Sequence, residues 1–236
     1  MREDQAYAMD QAIGAGDEAA LRSLLEAEPR LTGTPIPVPR DWGEEMWLGL
    51  HRAAQRGSLG LVELLLDAGA SIDARTRFRT PMHGRETPLI LAARFGHDGV
   101  AKLLLDRHAD ADLLDANHRS ALSHAAEAGH TAIVRRLVGF GSAVDLVDDA
   151  DRTPLHWAIQ GGHVGVAMDL IDLGADPNHL CPKEPLGYTP LHRCFSINRP
   201  EMRHVVDQLV AAGADQTLRD PRNSKTAEEL SNSSSP

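Results

Sequence analysis

Histidine is the residue type in this chain with the most obvious chemical potential, because imidazole binds metals and exchanges protons near neutral pH. The 236 residues contain twelve histidines. Six of them recur in two settings, directly after a leucine or directly after a glycine: His51, His156, His192, His97, His130 and His163. No two histidines form the H-x-x-x-H or H-E-x-x-H patterns of helical zinc sites. His124 and Glu127 are spaced to share a proton or a metal, but we favour a surface ion pair and expect no metal site.

The other reactive residue types give no catalytic constellation. Cys181 and Cys194 are too few for a four-ligand zinc site. A calcium loop starting at Asp145 would need glycine at its sixth place and glutamate at its twelfth, where the sequence has Ala150 and His156. Neither a G-x-S-x-G elbow nor a G-x-x-x-x-G-K phosphate loop occurs. We therefore expect no catalytic residue, no cofactor and no enzymatic activity.

Composition and charge narrow the classes of protein further. Hydrophobic residues make up 42% of the chain, which is enough for a core, but aromatic residues only 4%, which favours closely packed small helices. The net charge of -10 disfavours nucleic acid and anionic membrane as general partners. We find no apolar run long enough for a membrane span and no secretory signal, and we expect a reducing cytoplasmic compartment.

A repeated block organises the whole sequence. Its leading leucines are Leu50, Leu89, Leu122, Leu155 and Leu191, roughly 33 to 39 residues apart, and most are followed by alanines, a Gly-His step, a Leu/Val stretch and a Gly-Ala-Asp-like turn. These letters resemble the ankyrin repeat, most closely in Thr-Pro-Leu-His at 153–156 and 189–192. The resemblance implies an all-α solenoid of paired antiparallel helices with β-hairpin or loop connections, in about six to seven repeats including atypical ends.

Local chemistry agrees with helix pairs. Thr153 is a suitable N-cap and Pro154 a suitable first helical residue. Four glycines stand where a left-handed residue would end the second helix: Gly69, Gly141, Gly174 and Gly213. His108 replaces this glycine in one repeat, which predicts local strain or a different cap. By the family pattern, Asp115 and Asp148 stabilise turns, the Leu-His and Gly-His histidines support the scaffold, and Cys194 is a buried structural thiol.

The register also predicts the domain organisation. We expect one domain over residues 1–230 and a flexible tail at 231–236. The expected repeats are approximately 3–46, 47–85, 86–118, 119–151, 152–187 and 188–223, with a partial unit at 224–230.

A lengthened loop over residues 74–85 departs from the repeat. Arg75, Arg77 and Arg79 alternate with other residues, so an extended strand would place three guanidinium groups on one face beside Phe78. Such a basic finger is suited to an acidic peptide or a phosphate. A solvated loop kept soluble by its charge is an equally good interpretation.

Proteins with this repeat bind partners along a concave groove, into which the residue between His and Ala-Ala points. The corresponding residues are Arg52, Leu91, His124, Trp157 and Arg193. Further exposed positions expected from the register are Arg94, Phe95, Glu127, Gln160 and Tyr188. Tryptophan and arginine often dominate interface energy, and this favours partner binding over a purely structural role for Trp157.

These observations predict a monomeric module that binds a protein or peptide partner through its groove and hairpin tips. The alternative is a small-molecule or enzymatic site in the groove beneath residues 74–85, although a shallow groove rarely excludes water. Nucleic-acid binding through the basic finger would need a steep salt dependence of affinity, and we do not favour it.

Overall fold

The computed structural model describes residues 2–36, 45–78, 84–182, 189–197 and 199–218, together with residues 226 and 229. The chain divides into two compact units, Met1–Asn117 and His118–Pro236. Arg79, Tyr188 and the expected tail at 231–236 lie outside the described residues.

Within the described residues the architecture is a succession of helix pairs. The twelve α-helices are α1 (Arg2–Ala15), α2 (Glu18–Ala27), α3 (Gly49–Arg56), α4 (Leu59–Asp67), α5 (Pro88–Phe95), α6 (Asp98–Asp106), α7 (Ala121–Ala128), α8 (Thr131–Gly139), α9 (Pro154–Gly161), α10 (Val164–Asp172), α11 (Pro190–Ile197) and α12 (Arg203–Ala211). Short 3-10 helices occupy Pro29–Gly33 and Pro200–Met202. We call the odd-numbered helices first helices and the even-numbered helices second helices.

The same packing scheme operates inside each unit. In the first unit α1 and α3 each pack against their own second helix and against the next first helix, and α5 packs against α6. The second unit repeats this scheme, as α9 does with α7, α10 and α11. Fully buried alanines, such as Ala53 and Ala54 in α3, remove the bulk that would keep neighbouring first helices apart. The predicted all-α repeat architecture is therefore confirmed.

Helix starts follow the predicted chemistry. Oγ1 of Thr87 accepts a hydrogen bond from the Ile90 N–H at 3.2 Å, and Oγ of Ser120 accepts one from the Ser123 N–H at the same distance. Thr153 precedes Pro154, the first residue of α9, and its Oγ1 lies 2.9 Å from Nδ1 of His156. These contacts give hydrogen-bond partners to backbone N–H groups at the N-termini of α5 and α7 and to the His156 ring at the N-terminus of α9. The predicted start of α9 is confirmed.

The ends of the second helices also follow the prediction. The four glycines predicted there all have positive φ, between 88° for Gly69 and 94° for Gly141 and Gly174. His108 takes the corresponding place after α6 with φ of 66°. A side chain with a Cβ is disfavoured in this conformation, so the prediction of strain at His108 is confirmed.

Replacing His108 with glycine should therefore stabilise the protein. We expect His108→Gly to raise the free energy of unfolding by about 1 kcal/mol, because the left-handed backbone loses its steric penalty. Gly141→Ala is the reciprocal control, and we expect it to destabilise by a similar amount. Urea unfolding followed by circular dichroism measures both changes. A lower stability of His108→Gly would mean that the imidazole makes contacts worth more than the strain.

A small strand pair links the two segments that flank α3 and α4. β1 (Glu45–Met46) pairs antiparallel with β2 (Arg77–Phe78), with Glu45 opposite Phe78 and Met46 opposite Arg77. The backbone N–H of Ile36 donates to the Trp47 carbonyl at 2.8 Å, and both side chains are buried. The segments on either side of α3 and α4 are thus tied together next to the core.

Histidines link successive repeats. Nε2 of His97 lies 2.8 Å from the Gln55 carbonyl oxygen, and Nε2 of His163 lies 2.9 Å from that of Glu127. A Cβ on Gly57 would overlap the ring of His97, and a Cβ on Gly129 would overlap that of His163. Each such joint therefore requires a glycine in one repeat and a histidine in the next. The predicted scaffold role of these two histidines is confirmed.

Membrane insertion has no helical basis in the part of the chain that the structure describes. None of these helices combines the length and the apolar character that a transmembrane span needs.

Candidate functional site

Trp157 in α9 is the centre of a polar cluster in the second unit. Its side chain is only 6% exposed, and its Nε1–H donates to Oδ2 of Asp148 at 3.2 Å. The guanidinium carbons of Arg119 and Arg152 lie over the indole ring, 3.8 and 4.0 Å from its centroid. The expectation that Trp157 offers an open surface to a partner is therefore wrong, because the chain's own side chains cover the ring.

Asp148 explains why this cluster is fixed. Its Oδ1 accepts hydrogen bonds from the backbone N–H groups of Ala150 and Arg152, both at 2.9 Å. Its Oδ2 accepts from Nε of Arg152 at 2.9 Å as well as from Trp157. In the first unit, Oδ1 of Asp115 accepts from the Asn117 N–H at 2.8 Å. The prediction that Asp115 and Asp148 stabilise turns is confirmed.

Two more expected groove residues are also buried. Leu91 in α5 is 1% exposed and His124 in α7 is 5% exposed. Helices α5 and α7 are each only eight residues long, and the first six residues of both are buried. The expectation that Leu91 and His124 face solvent is wrong. The repeat register indicates on which side of the helix a residue lies, but it does not indicate how far neighbouring side chains bury that residue.

The exposed positions of these helices lie in their last turn. In the first unit Phe95 is 44% exposed, and the guanidinium carbon of Arg94 lies 5.7 Å from the centroid of its ring. The imidazole of His97 stacks on Phe95 with a centroid distance of 6.5 Å. Nη1 of Arg94 donates to Oε1 of Glu86 at 2.8 Å, which holds the arginine beside the ring. Phe95 is thus a large apolar group presented to solvent in a fixed setting.

In the second unit the last turns present polar groups. Gln160 is exposed, and its Oε1 accepts a hydrogen bond from Nη2 of Arg193 at 2.7 Å. Glu127 accepts a hydrogen bond from Nη2 of Arg119 and is half-buried. The register predicts that Gln160, Arg193 and Glu127 are exposed. Each of them already forms a hydrogen bond with a residue of a neighbouring repeat or hairpin in its own unit.

Arg52 in α3 is more enclosed than expected. Its Nε lies 3.5 Å from Oδ1 of Asp10 in α1, and its side chain is 16% exposed. Partial burial raises the pKa of the Asp10 carboxyl, and the charges of Arg52 and Arg56 oppose this change. Arg52 therefore connects the first two helix pairs and leaves little surface for a partner.

The basic finger is described in part. Nη1 of Arg75 donates to the Leu114 carbonyl oxygen at 3.2 Å, so this guanidinium supports its own unit. Arg77 and Phe78 form β2. A shared face of three guanidinium groups remains a prediction, since Arg79 lies outside the described ranges.

Both cysteines are buried and free. Burial raises the pKa of the Cys194 thiol to about 12, so the sulfur stays protonated, as expected for a structural cysteine. Sγ of Cys181 donates to the Asp151 carbonyl oxygen at 3.2 Å. In the described ranges, no three His, Cys, Asp or Glu side chains gather closely enough to hold a metal ion.

One feature that the sequence analysis did not predict is the stacking of arginines on Trp157. Arg119 and Arg152 occupy equivalent places, just before the N-caps of α7 and α9. An arginine repeated at this place was the available signal. The role of this arginine depends on the direction of the Trp157 side chain, which the sequence does not give.

Comparison with known proteins finds a family model and a solved structure that match most of the chain. The family model described as ankyrin repeats (3 copies) matches residues 9–115, 89–181 and 137–220. Among solved structures, the human ASB11 ankyrin repeat domain superposes with a TM-score of 0.72 at 25% identity, covering 94% of this chain and 90% of that chain.

Curated relatives share shorter regions. Ankyrin repeat and SOCS box protein 18 of Homo sapiens is 40% identical over 76 residues, which are 32% of this chain and 15% of that protein. Neurogenic locus notch homolog protein 1 of Mus musculus is 38% identical over 77 residues, 32% of this chain and 3% of that protein. Probable E3 ubiquitin-protein ligase XBOS31 of Oryza sativa subsp. japonica is 30% identical over 125 residues, 52% of this chain and 25% of that protein. The chain thus spans a quarter or less of each of these relatives.

Proposed function

Because the chain belongs to the ankyrin-repeat family, whose repeats are generally protein-protein interaction modules, we propose that it binds a polypeptide partner and catalyses no reaction of its own. In each unit, the proposed contact surface is formed by the exposed last turns of its first helices. We do not propose the ligase activity in the name of XBOS31 for this chain, since the shared region is only 25% of that protein.

The single observation that carries this proposal is the exposure of Phe95. An aromatic ring that is 44% exposed, with Arg94 beside it, leaves apolar area in water that a partner would cover. Aromatic side chains and arginine are the groups that most often provide binding energy at interfaces. The contact of Arg94 with Glu86 also restricts the arginine before binding, which lowers the entropy lost on association.

The remaining contacts are assigned by exposure. Glu127, Gln160 and Arg193 would supply polar contacts in the second unit, and Arg52 would contribute at its exposed edge. Leu91, His124 and Trp157 are buried and would contribute through the packing of α5, α7 and α9, without direct contact to the partner. The basic finger of Arg75, Arg77, Phe78 and Arg79, and the ring of Tyr188, remain proposed additional contacts at the hairpin tips.

The setting we propose is a monomer in the cytoplasm. Cys181 and Cys194 are both buried and free in the structure, which is compatible with a reducing compartment. The alternative of a small-molecule or catalytic site beneath residues 74–85 receives no support from the residues that the structure describes there.

Truncating Phe95 should weaken partner binding much more than stability. We expect Phe95→Ala to reduce partner affinity by about 2 kcal/mol, or roughly thirtyfold, because the ring is the largest apolar group on the proposed surface. The measurement is an affinity pull-down from cells of the source organism with quantitative mass spectrometry, followed by titration of the partner that is depleted.

Phe140→Ala provides a matched control. Phe140 follows the second helix α8, is 50% exposed and lies outside the proposed surface. We expect this variant to recover the partner at the wild-type level. If Phe95→Ala recovers every polypeptide as well as Phe140→Ala does, the last turn of α5 is not a binding surface.

A further inference from the structure

A cleft opens between the second helices α2 and α4 of the first unit. Its volume is 430 Å³, which lies in the range of about 300–1,000 Å³ typical of ligand pockets. Apolar side chains contribute to its lining: Leu25 from α2, Leu64 from α4 and Ala68 at the end of α4. The cleft therefore combines room for one or two side chains with an apolar surface on which they could pack.

The other lining residues are mostly acidic. Glu18 and Glu26 come from α2, and Glu63 and Asp67 come from α4. Arg22 is the one basic residue among the lining groups. A Cβ on Gly60 would overlap Oε1 of Glu18, so the glycine lets this carboxylate lie directly against α4. The cleft carries a net negative charge on both of its walls.

The chain itself shows which group these carboxylates accept. Nη1 of Arg107, the residue that follows α6, lies 2.8 Å from Oδ1 of Asp67, and its Nη2 lies 3.7 Å from Oε1 of Glu63. These contacts show that carboxylates of α4 accept a guanidinium, here one from a residue that does not itself line the cleft. On the α2 wall, neither Glu18 nor Glu26 forms an ion pair with any of the described residues, so their charge is available to a group from outside.

We propose that this cleft, which we call the α2–α4 cleft, binds a basic segment of a partner polypeptide. One apolar side chain of the segment packs on Leu25, Leu64 and Ala68. Flanking arginine or lysine side chains pair with Glu18 and Glu26. This is a second surface, distinct from the last turns of the first helices.

The choice of a basic peptide follows from charge and shape together. Phosphate or nucleic-acid groups would be repelled by four carboxylates. A free cation would satisfy the charge but would leave the apolar surface in water. A peptide with the order basic, apolar, basic covers both features, and its backbone holds the three side chains together at a small additional entropy cost.

The test uses short capped peptides and the full chain labelled with ¹⁵N. The probe is acetyl-Gly-Arg-Leu-Arg-Gly-amide, and the comparison peptides replace both arginines with glutamate or the leucine with alanine. We expect the arginine-leucine peptide to shift amide signals of α2 and α4, and to bind about fivefold more tightly than the alanine peptide. The affinity should fall when salt rises from about 20 to about 300 mM, because the charged groups are exposed to solvent.

Two variants separate the two features of the cleft. Glu18→Gln/Glu26→Gln removes the unpaired charges, and we expect about fivefold weaker binding of the probe. Ala68→Leu fills the apolar part without changing charge, and we expect a similar loss. Glu201→Gln/Asp207→Asn removes two exposed charges in the second unit, and Phe95→Ala alters the other proposed surface. Both controls should bind the probe like the wild type.

Several results would overturn the proposal. Shifts located outside α2 and α4, or equal binding of the glutamate peptide, would show that the α2–α4 cleft is not the site. Unchanged affinity in Ala68→Leu would mean that the apolar surface takes no part. Equal affinity for argininamide would identify a small cation as the occupant instead of a peptide.

Discussion

Replacing Trp157 with alanine is expected to lower the free energy of unfolding by about 3–5 kcal/mol, the usual cost of deleting a buried aromatic side chain. The indole is 6% exposed and donates a hydrogen bond to the buried carboxylate of Asp148. Its loss would also remove the surface on which Arg119 and Arg152 stack. Urea unfolding followed by circular dichroism measures the change directly.

Trp157→Phe measures the contribution of the hydrogen bond to stability separately from that of the aromatic ring. Phenylalanine keeps an aromatic face for the two arginines but cannot donate to Asp148, so we expect a loss of about 1–2 kcal/mol. Two results together would assign Trp157 to the binding surface. Trp157→Ala would lower the free energy of unfolding by less than about 1 kcal/mol, and it would capture less of the partner found in the pull-down.

Acidification below neutrality is expected to destabilise the protein through His51. Burial lowers the pKa of this imidazole from 6.5 to about 4, while hydrogen bonds to the Ala74 and Glu86 carbonyls oppose the change. Nδ1 of His51 accepts the Leu48 N–H at 3.0 Å, and Nε2–H donates to the Ala74 carbonyl at 2.9 Å. A second ring proton would replace the acceptor by a donor facing the Leu48 N–H.

The direction of the effect follows from proton binding. As the pH falls, the unfolded chain takes up a proton near pH 6.5, whereas the folded chain does so only near pH 4. The contribution of His51 is therefore complete above about pH 6.5 and is lost between pH 6.5 and 4. A difference of this size corresponds to about 3 kcal/mol.

Unfolding free energies of wild type and His51→Gln, measured across this pH range, test the assignment. Burial also raises the pKa values of Asp10, Asp73 and Asp145, but these carboxyls act equally in both proteins. The difference between the two curves should therefore shrink toward pH 4. An NMR titration of the His51 ring with a midpoint near 6.5 would contradict the proposed cause.

The parts of this fold that are set by local chemistry were predictable from the sequence. Thr153 and Pro154 start a helix because a hydroxyl cap and a fixed φ act within one turn of the chain. Gly141 ends one because its own backbone must be left-handed. The same local argument identified the strain at His108, where the repeat pattern shows which residue has been replaced.

Exposure was harder to predict because it depends on residues from other repeats. Trp157 occupies a position that the register directs toward solvent, yet Arg119 and Arg152 cover it from two different hairpins. Leu91 and His124 are buried as well. The α2–α4 cleft was also not anticipated, because it arises from the space left between two helices that are separated by a divergent connection.

The glycine and histidine of each inter-repeat joint have a consequence for how such a chain can change in length. In the two joints described above, the glycine ends the first helix of one repeat and the histidine precedes the second helix of the following repeat. If the part of the gene that encodes one such repeat were duplicated or lost, a glycine and a histidine would therefore meet again at the new junction. Recombination in phase with the repeats would add or remove entire repeats and keep these contacts. A crossover out of phase with the repeats would place a histidine against a residue with a Cβ.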